Sequence, residues 1–156
     1  MVQRTYLLRS VRLAALSPLL LAAAACGASP TAPQQADQEA KQFAQPAPDK
    51  GALYVYRSPG FFGAAQALDI GIAGGASAAL APNTYIRIEG PPGPVEVDCK
   101  VRDKSGSAQV QVGDGQTRFV EVWMTMGWWT PGCEVAEVSP DQGRVAVLSG
   151  RRLEPQ

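Results

Sequence analysis

Between residues 95 and 102 the chain alternates without a fault. Val95, Val97, Cys99 and Val101 fall on one side, and Glu96, Asp98, Lys100 and Arg102 on the other. Successive side chains of an extended strand point to opposite faces, so this stretch fits a strand with one dry and one wet face and fits no helix. Such a strand needs a sheet, and its apolar face needs a second layer to cover it. The chain from Ala52 onward follows the same grammar. Segments 52–57, 68–73, 76–81, 84–89, 108–112, 117–126 and 133–138 read as further strands, broken by Gly, Pro, Asn and Asp. Gly74-Gly75 and Asp114-Gly115 are hairpin dipeptides, and 103–106 reads as a turn. Ser139-Pro140-Asp141-Gln142 has the form of a capping box with Pro at the first helical position, and Gly150 suits the helix end. The expectation is an all-β fold. It is a single antiparallel β-sandwich of about seven or eight strands over 51–150, with a short C-terminal helix whose Val145, Ala146 and Leu148 cover one end. Residues 151–156 read as a tail.

The first 25 residues belong to something else. Arg4, Arg9 and Arg12 precede an apolar run over 13–25 that is interrupted by Pro18 and too short to span a bilayer comfortably. The run closes on Ala22-Ala-Ala-Ala25, followed by Cys26 and Gly27. This resembles the lipobox of bacterial lipoproteins, with Ala23 at the position where that family most often has Leu. The resemblance implies a cleaved signal peptide (1–25) and a mature chain held on membrane lipid by acyl groups on Cys26. Gly27, where Asp would favour the inner membrane, points to the periplasmic face of the outer membrane. Ordinary secretory cleavage with an incidental Cys26 is the alternative. Residues 26–50 are rich in Ala, Pro and Gln and hold one large apolar residue, Phe43. Such composition is expected to stay a flexible tether, because it buries too little to offset its ordering entropy.

Charge and residue counts remove several functions. Taking Arg4, Arg9 and Arg12 from the fourteen bases leaves eleven against fourteen carboxylates, a net of −3, so the mature chain lacks the basic footprint of a nucleic-acid binder. There is no histidine, which removes the commonest general base and metal ligand, and no cofactor or metal is implied. No Ser or Cys has a base to activate it, and Lys41, Lys50, Lys100 and Lys104 all read as solvated. Of the three cysteines, a lipidated Cys26 leaves Cys99 and Cys133. An oxidising compartment then favours a disulfide between them, two buried free thiols being the alternative.

Five features recur in order along 53–150. They are Leu53-Tyr-Val-Tyr-Arg57, Gly60-Phe-Phe-Gly63, Pro91-Pro92-Gly93, Gly115-Gln-Thr-Arg-Phe119 and the closing helix. Together they resemble an uncharacterised family of small bacterial lipoproteins with a β-sandwich domain of unknown function. The resemblance implies the fold and no activity.

The candidate binding residues are aromatic. Trp128-Trp129, between two strands, and Phe61-Phe62 could stack on a sugar, sit at a membrane interface or meet a partner. Large aromatics also bury readily, and that favours loops folded back over the sandwich end. The reading is therefore a non-catalytic, membrane-anchored envelope lipoprotein. Its sandwich binds an envelope protein or cell-wall glycan, or organises the envelope. The alternatives are a glycan-acting enzyme using carboxylates such as Glu96 and Asp98, or an inhibitor or assembly chaperone using the aromatic loops.

Overall fold

A computed structural model of the protein describes residues 28–156; the expected signal peptide and the expected lipidation site Cys26 lie outside the described residues. The all-β sandwich with a C-terminal helix is what forms. Nine strands and two helices follow in the order α1 (Gln34–Ala40), β1 (Gly51–Arg57), β2 (Leu68–Ile72), β3 (Ala76–Leu80), β4 (Thr84–Gly90), β5 (Gly93–Val101), β6 (Lys104–Val112), β7 (Thr117–Met126), β8 (Pro131–Val138), α2 (Pro140–Ser149) and β9 (Arg151–Arg152). A four-stranded antiparallel sheet, β3-β2-β5-β6, faces a five-stranded sheet, β8-β7-β1-β4-β9. The larger sheet is mixed, with β1 parallel to β7 and β4 parallel to β9.

The alternation of β5 puts Val97, Cys99 and Val101 into the space between the sheets, where Leu53, Val55, Ile70, Ile86, Val110, Val120 and Val122 meet them. Two turns differ from expectation. Gly74-Gly75 belongs to a three-residue loop, since Ile72 already pairs with Ala76. The turn after β5 is only Arg102-Asp103, because Val101 pairs with Lys104. Arg102 takes the left-handed φ of 54° there, so β6 begins four residues earlier than its apolar part suggested.

Strand β1 is buried along its whole length. Leu53 and Val55 face the core, while Tyr54 and Tyr56 face the other way into a second cluster with Tyr85, Phe119, Ala40 and Val147. That cluster lies under the two helices, so the molecule has three layers. The N-cap Ser139 accepts the Gln142 N–H at 3.3 Å, as the capping box requires. The face that α2 buries is Gly143, Ala146 and Val147. Val145 and Leu148 are exposed, which corrects the expected face: the continuous helix turns its small residues, Gly143 first, to the sheet because it sits close on Phe119.

The segment expected to be a tether is part of the fold. Ala40 is buried and Phe43 packs on Tyr54 and Phe119 at centroid distances of 5.6 and 6.0 Å. The Tyr54 hydroxyl donates to the Ala40 carbonyl at 2.6 Å, and Lys41 Nζ donates to the Gly150 carbonyl at 2.7 Å. Asp37 accepts from the Tyr85 hydroxyl (2.8 Å), Lys41 Nζ (2.8 Å) and the Arg152 N–H (2.9 Å). Burial alone would raise its pKa, but these three donors hold the carboxyl below its ordinary value. The tail is structural too. Leu153 is buried, Thr31 bridges Leu153, and Gln156 exchanges two main-chain hydrogen bonds with Ser77. The compact unit therefore runs from Ser29 to Gln156. Ordering needs few large apolar groups here because the partners already stand on a rigid sheet.

Candidate functional site

The ends of the strands define two ends of the sandwich. One gathers the C-termini of β1, β5 and β7 and the N-termini of β4, β6 and β8. Both aromatic loops project there. Strands β7 and β8 stay paired up to Met126 and Pro131, leaving Gly127-Trp128-Trp129-Thr130 to join them. A Cβ on Gly127 would lie 2.2 Å from the Thr130 carbonyl oxygen, so the turn closes tightly at that glycine. Four residues between paired strands have no slack to fold back, and Trp128 and Trp129 are 90% and 89% exposed, touching edge-to-face at 6.4 Å. This corrects the expectation that the loop covers the sandwich.

The second loop is held by Arg57, whose role sequence reasoning missed. Its buried guanidinium donates to the carbonyls of Gln66 (2.7 Å), Leu80 (3.0 Å) and Gly63 (2.9 Å). Burial pushes its pKa down, yet three carbonyl dipoles keep the cation solvated. The signal was available: an Arg closing an otherwise apolar strand just before a Pro/Gly loop. Fixed in this way, the loop leaves Phe61 wholly exposed and Phe62 at 41%. The expectation of a covered loop fails here as well.

Between this loop and β7 lies a cleft of about 320 Å³, lined by Arg57, Phe61, Phe62, Glu121, Trp123 and Met124. The Glu121 carboxylate on its wall accepts from the Ser58 hydroxyl (2.6 Å), Tyr56 hydroxyl (3.4 Å) and Gln142 amide (3.3 Å). Burial, and then the nearby Glu121 charge, drive the Tyr56 pKa upward, so the phenol stays protonated.

The disulfide Cys99–Cys133 is present, with Cα atoms 6.2 Å apart. It ties β5 of one sheet to β8 of the other, two residues past the exit of the tryptophan loop.

The opposite end holds a larger and drier cleft of about 520 Å³. Leu53, Ile72, Ile88, Val95 and Val112 line it between the sheets, and Pro91–Pro94 form one rim. Glu96 and Asp98 do not face each other across a cleft. They stand side by side on the exposed face of β5, over a shallow concavity beside the Gly74 hairpin. Among the described residues no group of three or more acidic or cysteine side chains gathers as a metal would require, and no helix is long and apolar enough to cross a membrane.

No protein-family model, curated protein or solved structure matches the chain.

Proposed function

We propose that the protein is a lipoprotein of the bacterial cell envelope, held through acylated Cys26 on the periplasmic face of the outer membrane, and that its sandwich is a binding module rather than an enzyme. The observation that carries the binding site is the almost complete exposure of Phe61, Trp128 and Trp129 on two braced loops at one end. Large aromatics displayed together on rigid supports are costly to keep in water and are a common mark of an interaction surface. The lipobox supplies the anchor.

Two measurements test this reading. Intact-mass spectrometry of the mature protein should give an N-terminus at Cys26 carrying acyl mass; a different start without acyl mass refutes the anchor. A photo-crosslinking side chain at position 128 should form adducts in the envelope, while one at the exposed Val145 on α2 should not. Equal yields at the two positions refute the site.

A second reading has its own support. The volume and apolar lining of the inter-sheet cleft suit one small apolar ligand, since pockets of this size and character are the usual small-molecule sites.

A further inference from the structure

We infer that the partner of the aromatic end is the bilayer itself: Phe61, Phe62, Met126, Trp128 and Trp129 sit in the interfacial layer of the membrane that holds Cys26, so the domain stands on its aromatic end with its inter-sheet cleft turned away from the surface. The inference rests on the anchored reading above.

The distribution of exposed apolar groups comes first. Among the described residues seven large apolar side chains are exposed, and five of them are these. The other two, Val145 and Leu148, are on the outer side of α2. Exposure that falls mostly on one end is a patch, whereas scattered exposure would need no explanation.

The point where the chain enters the domain comes second. Ser29 is buried, its N–H donates to the Ala79 carbonyl at 3.1 Å, and its hydroxyl accepts the Ala79 N–H at 2.9 Å. Ala79 is one residue from the end of β3 at Leu80, and the Leu80 carbonyl is bound by the same Arg57 that braces the Phe61-Phe62 loop. Cys26 precedes Ser29 by three residues, a reach of at most about 10 Å. With residues 34–43 docked, the slack that would let the domain stand off from a lipid surface is gone. The anchor enters close to the end that displays the aromatics.

Charge comes third. The β5–β6 turn at this end exposes Lys100, Arg102 and Lys104 against two carboxylates, Asp103 in the turn and Asp69 opposite Lys100 on β2, a local excess of one cation although the mature chain is net acidic. Lys104 lies beside Gly132, where the tryptophan loop rejoins β8. Indole rings prefer the headgroup level, where the ring is dry and its N–H wet, and Lys and Arg beside them meet lipid phosphates. An aromatic pair flanked by cations, close to an acylated cysteine, has the composition of an interfacial footprint. A proteinaceous partner would leave the short lead from Cys26 unexplained.

The test uses the mature, acylated protein reconstituted into vesicles of phosphatidylethanolamine and phosphatidylglycerol whose acyl chains carry bromine either near the headgroup or near the methyl end. Tryptophan emission should be shifted to the blue and quenched at least twofold by the shallow bromines, and much less by the deep ones. Trp128→Phe with Trp129→Phe, which keeps the apolar bulk and leaves Trp123 as the emitter, should abolish most of that quenching. If protein that carries acyl mass and floats with the vesicles shows no quenching, the bilayer assignment is overturned, and the aromatic end is left for a protein partner under the reading above. Protein that lacks acyl mass and does not float overturns both.

Discussion

Gly143 gives the sharpest test of how α2 is fixed on the sheet. It is the fourth residue of a ten-residue helix, where Gly→Ala ordinarily stabilises by about 1 kcal/mol through backbone entropy. The structure reverses that sign. A Cβ at 143 would lie 2.3, 2.4 and 2.5 Å from Cγ, Cβ and Cδ1 of Phe119. Carbon atoms settle at about 3.5–4.0 Å, so the two groups must part by more than about 1 Å. Phe119 cannot give way, being buried, stacked on Tyr54 at 5.1 Å and edged by Phe43 at 6.0 Å. The helix must lift instead and loosen Val147 and Ala146. Overpacking of this kind costs roughly 1–3 kcal/mol. Set against the propensity gain, Gly143→Ala should be destabilising by up to about 2 kcal/mol. Urea unfolding followed by circular dichroism measures it, the midpoint falling with an unchanged slope. Phe119→Leu in the same chain should relieve the clash, so the double variant should lose less than the sum of the singles by about 0.5 kcal/mol or more. A Gly143→Ala protein as stable as the parent, or more so, refutes the argument.

The remaining predictions concern the disulfide and the docked N-terminal segment. Reducing Cys99–Cys133, 34 residues apart, should cost up to about 4 kcal/mol in the chain-entropy treatment and lower the melting temperature by roughly 10–20 °C; thermal melts that coincide with and without reductant would contradict it. The Asp37 carboxyl is held below its ordinary value by its three donors, so the stability it contributes is complete above the ordinary carboxylate range and lost as pH falls through the native value. Amide exchange over 34–43 should therefore accelerate below about pH 4 beyond its intrinsic dependence, whereas Asp37→Asn should exchange faster already at pH 7 and show no such step; identical exchange at pH 7 would exclude the role.

What the sequence determined by itself was the strand grammar, because alternation in β5 and small turn residues are local rules. The Ser139 cap and the pairing of Cys99 with Cys133 were legible for the same reason, one from four adjacent residues and the other from a count. Tertiary structure decided whatever depended on a distant partner. Residues 34–43 carry too little apolar surface to reveal their docking, which is made by hydroxyls of Tyr54 and Tyr85 and by the backbone at Gly150 and Arg152. One signal did exist: Tyr54 and Tyr56 are apolar on the side of β1 opposite Leu53 and Val55, and a strand greasy on both faces needs covers on both. On α2 the buried face follows the spacing of Gly143, Ala146 and Val147 rather than the larger Val145 and Leu148, since closeness to Phe119 selects small residues. The exposure of Trp128 and Trp129 was settled by a register, the pairing of Met126 with Pro131, which shortens the loop until it cannot turn back. Residue type alone favours burying an indole; only the ladder beneath it determines whether the chain can reach a place to bury it.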